Sequence, residues 1–237
     1  MQAKKYQIIK IMIVLIVVPL LLWVGISLFD DRKYYLISIS IVIVACLPFF
    51  LRFEKRKPQS REIMIIAVMA AISVAGRCLF FVIPGFKPVA AITAITGFSL
   101  GAEAGFLTGA LSALVSNIFF GQGPWTPFQM FAWGMIGFIA GLVGKPSLVN
   151  KKSFLIAFGI FAGIFFSLGM DIWGSMSTNG IFTMEAYMLA ISTALPFTII
   201  YAISNVIFLL LLTKPILEKL NRMKKKYGIF MTKGEQV

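Results

Sequence analysis

The sequence predicts an all-α polytopic membrane protein: a six-helix membrane bundle preceded by a two-helix transmembrane hairpin. Three observations carry this. The chain is 59% hydrophobic and only 13% charged, with a mean hydropathy of +0.92. Its apolar runs are long enough to cross a bilayer, and they are continuous and rich in Gly and Ala instead of alternating with period two, which argues against a barrel. Its basic residues gather at the ends of those runs.

The first span covers residues 8–29. Lys4, Lys5 and Lys10 precede it as they would a signal peptide, but the apolar run is too long and no small-residue cleavage pattern closes it, so it reads as a retained span. Asp30, Asp31, Arg32 and Lys33 turn the chain into a second span at 35–51. This hairpin domain is placed at 1–52, and a basic linker carrying Pro58 follows at 53–61. The binding domain, 62–214, divides into helices at 62–82, 89–100, 102–119, 127–144, 153–175 and 186–213. The second of these, about 18 Å long, is too short to span unaided and is expected either to lie half-buried within the bundle or to continue past Gly101. Pro196 is expected to break or kink the last helix. A basic tail, 215–237, closes the chain.

Placing the N-terminus in the cytoplasm puts eighteen of the 22 basic residues on that side. Both termini are then cytoplasmic, in a multi-pass protein of the cell membrane. The net charge of +13 therefore reads as helix-end anchoring to anionic lipid and not as a nucleic-acid surface.

Composition also excludes chemistry. The chain has no histidine, and Cys46 and Cys78 both lie in apolar segments, so neither a metal site nor a Ser/His or Cys/His nucleophile is indicated. Residues 141–146 lack the first glycine of a phosphate loop and carry Pro146 at the Ser/Thr position. No cofactor is expected.

Ala67, Ala71 and Ala75 recur every four residues and stack on one helix face, which lets another helix approach closely, within the chain or from a partner. Gly101, Gly105, Gly109 and Ala113 form a similar ridge that ends in Asn117, whose amide must find a ligand or the loop backbone as partner. Glu103 suits the dipole at the start of that helix. The stretch 117–133, N‑I‑F‑F‑G‑Q‑G‑P‑W‑T‑P‑F‑Q‑M‑F‑A‑W, is a polar, aromatic loop joining two apolar segments. Within it Thr126 reads as an N-cap, Pro127 as N1 and Gln129 as the other half of a capping box, with Trp125 and Met130 as a hydrophobic staple. Gln122, Trp125 and Trp133 are left without structural duty. Arg77 and Asp171 lie at similar depth near the outer interface, where they pair with one another or meet a ligand. Lys87, in the outer loop 84–88, reads as solvated.

The pieces R‑E‑I‑M‑I‑I‑A‑V‑M‑A‑A‑I‑S‑V‑A‑G‑R at Arg61, G‑F‑K‑P‑V‑A‑A at Gly85, G‑A‑E‑A‑G‑F‑L‑T‑G‑A at Gly101 and F‑G‑Q‑G‑P‑W‑T‑P‑F‑Q‑M‑F‑A‑W‑G at Phe120 resemble the substrate-binding S component of energy-coupling-factor (ECF) vitamin transporters, most nearly the cobalamin branch. The resemblance implies a six-helix binder that takes a vitamin from outside and docks, through Ala67, Ala71 and Ala75, on a transmembrane coupling protein driven by two ATPase subunits. It also implies a pocket shaped by loops 84–88, 121–126 and 175–185, and the hairpin before Arg61 is not part of the usual unit. The ligand residues are then Arg77, Asn117, Gln122, Trp125, Trp133 and Asp171, with cobalamin or a related corrinoid as first substrate and a different vitamin as the nearest rival. From other classes, an intramembrane enzyme would need paired carboxylates, yet Glu103 and Asp171 fall on opposite membrane sides, and a ligand-free scaffold would respond to no vitamin.

Overall fold

A computed structural model describes residues 34–55, 58–179 and 181–230. The span expected at 8–29 lies outside the described residues. Those described form eight helices: α1 (Tyr34–Lys55), α2 (Ser60–Leu79), α3 (Val89–Leu100), α4 (Ala102–Phe120), α5 (Thr126–Val143), a single turn α6 (Pro146–Val149), α7 (Lys152–Asn179) and α8 (Met184–Tyr227). Among them α2, α4, α5, α7 and α8 are each long and apolar enough to cross a membrane. Ile63, Met64, Val68 and Ile72 on α2, and Leu195, Ile199 and Ile203 on α8, face outward, as lipid contact requires.

The short α3 is the centre of the bundle. Eleven of its 12 residues are buried, so it is enclosed and not half-buried as the sequence suggested. A helix apolar on every side must be surrounded, and α2, α4, α5 and α8 supply that surround. Gly101 (φ 94°) then turns the chain directly into α4. It therefore makes the corner instead of joining the helix-packing ridge. The ridge itself starts at Gly105, where an added Cβ would lie 2.3 Å from the Gly137 carbonyl oxygen of α5, and it continues at Gly109, 2.4 Å from the Trp133 backbone. These glycines bring α4 and α5 backbone to backbone and fix the relative height of Asn117 and the start of α5.

Helix α1 lies against α4 and α5. Phe49 stacks on Phe106 at 3.8 Å between centroids and meets Phe138 edge-on at 5.0 Å. Arg52 pairs with Glu103, so Glu103 answers a side chain as well as the helix dipole.

The other end of the chain departs from expectation. Helix α8 is continuous past Pro196 and Pro215, and thirteen of the residues assigned to a basic tail are helical. Thr183 caps its start by accepting the Ala186 N–H at 3.2 Å. Lys224, Lys225 and Lys226 occupy its last turn, where cations favour the dipole, and Gly228 in the left-handed region ends it. Ile229 and Phe230 then fold back onto Ile65, Ile66 and Met69 of α2. The Phe230 N–H donates to the buried Glu62 carboxylate at 2.7 Å. The apolar residues Leu220, Ile229 and Phe230 outweigh the local helix-stop signal, because their burial is available only if the helix continues.

Candidate functional site

Arg77 occupies the last turn of α2 and points into the bundle. Its Nη1 donates to Ser116 Oγ at 2.5 Å and to Asn117 Oδ1 at 2.9 Å, both on α4. The guanidinium lies over the rings of Phe120 and Trp133, 4.6 and 5.3 Å from their centroids. A desolvated cation held by two acceptors and two π faces is well oriented. Asn117 is fully enclosed, and its Nδ2 donates to Thr126 Oγ1 at 2.8 Å and to Gln129 Oε1 at 2.9 Å. Its partners are thus three side chains, where the sequence had left a choice between ligand and loop backbone. It positions Arg77 and ties α4 to α5.

This network rewrites the reading of 117–133. Thr126 is the first helical residue, preceded by Trp125 in a helical conformation, and no side chain caps the end. The capping box is absent. The Thr126 hydroxyl instead donates to Gln122 Oε1 at 3.0 Å, and Gln122 Nε2 donates to the Leu114 carbonyl at 2.8 Å. A helix cap is worth about 1 kcal/mol, whereas leaving a buried amide unsatisfied costs about 1–3 kcal/mol per group, so Thr126 and Gln129 serve Asn117. Gln122, expected to be free for a ligand, is engaged at both ends of its amide. Trp125 turns from the staple toward α7, its ring 6.4 Å from that of Trp173, while Met130 packs into the core.

A belt of rings connects Arg77 to the far side of the bundle. Trp133 is buried and stacks on Phe166 at 5.0 Å and 6°. Phe166 meets Tyr201 of α8 edge-on at 5.1 Å. Lys87 Nζ lies 5.6 Å from the Tyr201 centroid. Lys87 is not the solvated loop residue that its position suggested. Its backbone N–H donates to Ser204 Oγ at 2.9 Å, and the Ser204 hydroxyl donates back to the Lys87 carbonyl at 3.2 Å, closing loop 84–88 onto α8. Burial first, and the nearby Arg77 charge second, bring its ammonium down to about 8. The signal available in the sequence was the pair Pro84 and Pro88 around Gly85, whose positive φ of 76° turns the loop inward over Ile200 and Tyr201.

Asp171 of α7 is 8% exposed, and its Oδ2 has no hydrogen-bond partner. The salt bridge with Arg77 does not form; Arg52–Glu103 is the ion pair among the described residues. Both charges nonetheless lie within electrostatic reach of Tyr201. The Arg77 end thus combines two cations, a carboxylate with an unpartnered oxygen, and a set of stacked indole and phenyl faces.

Two further features complete the surface. Ala67, Ala71 and Ala75 are all exposed while Ala70 and Ser73 face inward, so the alanine stripe is left uncovered by the described residues. At the opposite end, a cavity of about 1070 Å³ opens between the α3–α4 corner, the end of α5, the start of α7 and α8, lined by Glu103, Lys152, Lys214 and Glu218 among others. It touches none of the six residues proposed from sequence to meet a ligand. Volume alone does not mark a binding site; charge held out of water does. Lys152 and Lys214 of this cavity are exposed and Arg52 already has its carboxylate, so the Arg77 end is the stronger candidate.

The family described as "ECF-type riboflavin transporter, S component" matches residues 57–222, leaving α1 outside the match. Two curated relatives are UPF0397 proteins from Aliivibrio fischeri, 31% identical over 109 residues, and Aliivibrio salmonicida, 30% identical over 109 residues. In both, the similarity covers 41% of this chain and 59% of the relative. The chain therefore spans less than two thirds of the length of the curated relatives it matches. The matching family is the riboflavin type, and the cobalamin branch favoured by the sequence resemblance gains no support from it.

Proposed function

Since the chain belongs to the family of ECF transporter S components, we propose that it is a multi-pass subunit that captures a vitamin of flavin type at the Arg77 end and delivers it to a separately energised transporter. The family consists of transport subunits and not enzymes. One observation carries the choice of site: the part-buried Arg77 and the buried Asp171, charges of opposite sign, lie at this end without forming an ion pair, beside the stacked Trp133 and Phe166 and the edge-on Tyr201. Charges in such a setting are costly unless a ligand or partner answers them. Aromatic faces beside them suit a flat ring system.

The family description and those rings together favour riboflavin as the first ligand to test. Trp125, half-buried in loop 121–125 and adjacent to Trp173, offers a further aromatic face at this end, whereas Asn117 and Gln122 act by fixing Arg77 and the loop. The positive-inside distribution of basic residues puts this end outside and both termini in the cytoplasm. The exposed Ala67, Ala71 and Ala75 suit close docking of a helix from a transmembrane coupling protein, which two cytoplasmic ATPases would drive. Protein purified from cells grown with riboflavin should release a compound with flavin absorbance on denaturation. Protein that carries no flavin and gains no thermal stability from added riboflavin would refute the substrate.

A further inference from the structure

We infer that the ligand presents an anionic group, a carboxylate or a phosphate, to Arg77 and Lys87. The inference rests on the reading of the Arg77 end as the vitamin site and names a chemical property of its occupant. Arg77 comes from α2 and Lys87 from the α2–α3 loop, and the two lie within electrostatic reach of each other. Their approach is built in: Gly76 leaves room for Pro88, whose Cγ would lie 2.4 Å from a Cβ at that position, so the loop closes directly on α2. Neither cation has a carboxylate partner among the described residues. Asp171 reaches the same neighbourhood through Tyr201 but pairs with neither.

The hydrogen bonds of Arg77 show which part of the fork is left for a ligand. Ser116 and Asn117 both bind Nη1. The guanidinium has five N–H donors in a fixed plane, so its Nη2 and Nε edge remains for a bidentate acceptor. Lys87 holds its place through backbone bonds to Ser204 and has its ammonium over the Tyr201 ring, where it can reach an anion without rearranging the loop. Walls made by Phe120, Trp133 and Tyr201 lower the local dielectric, which raises the repulsion between the two cations in the empty site and the attraction to an anion in the filled one. Two like charges brought together by packing and left without a carboxylate define a receptor for negative charge. A neutral ligand, riboflavin included, would leave both without a counter-charge, so among flavins the phosphorylated form should bind more tightly than riboflavin at the same site.

The test uses pairs that share a ring system and differ in charge: riboflavin against riboflavin 5′-phosphate, pyridoxine against pyridoxine 5′-phosphate, and nicotinamide against nicotinate, each titrated onto the purified full chain. For the pair that binds, the anionic member should bind at least about tenfold more tightly, the scale of one charge-assisted hydrogen bond. Lys87→Met should bring the two dissociation constants toward a ratio of one and Lys87→Arg should preserve the difference, with Arg77→Gln as a second variant read in the same way. Equal or tighter binding of the neutral member would overturn the inference while leaving the vitamin-binding reading in place. Failure of every compound to bind would remove that reading and the inference with it.

Discussion

Replacing Asn117 by Leu, which is similar in size, should uncouple three elements at once. The wild-type amide accepts from Arg77 and donates to Thr126 and Gln129 from a fully buried position. Thr126 would keep Gln122, and Arg77 would keep Ser116, but the Gln129 oxygen would lose the donor it has in this network. Two neutral bonds at about 1 kcal/mol each and one to a charged group at about 1.5–3 kcal/mol, less the favourable burial of extra apolar area, give a loss of about 3 kcal/mol. For a chain of this size that corresponds to a fall of roughly 6–12 °C in melting temperature. Thermal unfolding in detergent, followed by the four tryptophans, measures it directly. Ser116→Ala removes only one of the two acceptors of Arg77 and should cost about 1.5 kcal/mol, the low end for a bond to a charged group, because Asn117 still accepts from the guanidinium. Ligand-induced stabilisation should also shrink in Asn117→Leu, because the guanidinium is no longer fixed. If Asn117→Leu melts within about 2 °C of wild type and keeps its ligand shift, Asn117 does not organise this site.

The remaining predictions concern packing, docking and pH. Gly105→Ala should prevent close contact of α4 with α5, since its Cβ would meet the Gly137 carbonyl at 2.3 Å, and should abolish a monodisperse gel-filtration peak; Gly101→Ala, with open space around it, should cost only the strain of its positive φ, about 1–3 kcal/mol. Ala71→Trp should eliminate copurification with the transmembrane coupling subunit while leaving vitamin binding intact, and loss of both would refute the separation of the two surfaces. Lys87 has its folded value lowered from 10.5 to about 8. The unfolded chain therefore binds more protons in that window, and the empty protein should gain stability as pH rises from about 8 toward 10.5. Over the same range an anionic ligand should bind progressively less well; a flat stability profile in Lys87→Met would assign the effect to this residue.

What the sequence revealed depended on how local the physics was. The six-helix order, the Gly105 and Gly109 packing face and the position of Arg77 and Asp171 followed from spacing and hydropathy, which act over one or two helical turns. The outward alanine stripe was visible as a pattern, but only the fold shows that nothing within the described chain covers it. The Thr126–Pro127–Gln129 signature failed because the competing partner, Asn117, lies nine residues away on another helix and is deeper than the helix end it displaces. Lys87 was misread for a related reason: its burial comes from Tyr201 and Ser204, more than a hundred positions later. The last helix was expected to close at 213, yet Leu220 and Phe230 supply burial that makes continuation favourable.

On this proposal a vitamin binds among Arg77, Lys87, Trp125 and the Trp133–Phe166–Tyr201 rings, and not in the cavity at the opposite end. Calorimetric titration of riboflavin onto the wild-type chain, a Trp125→Ala variant and a Lys152→Gln/Lys214→Gln variant compares the two locations in one assay. One saturable site per chain is expected, weakened by Trp125→Ala and unchanged by the double lysine substitution. Binding that survives Trp125→Ala and disappears with the lysines, or no binding by any of the three proteins, would contradict it.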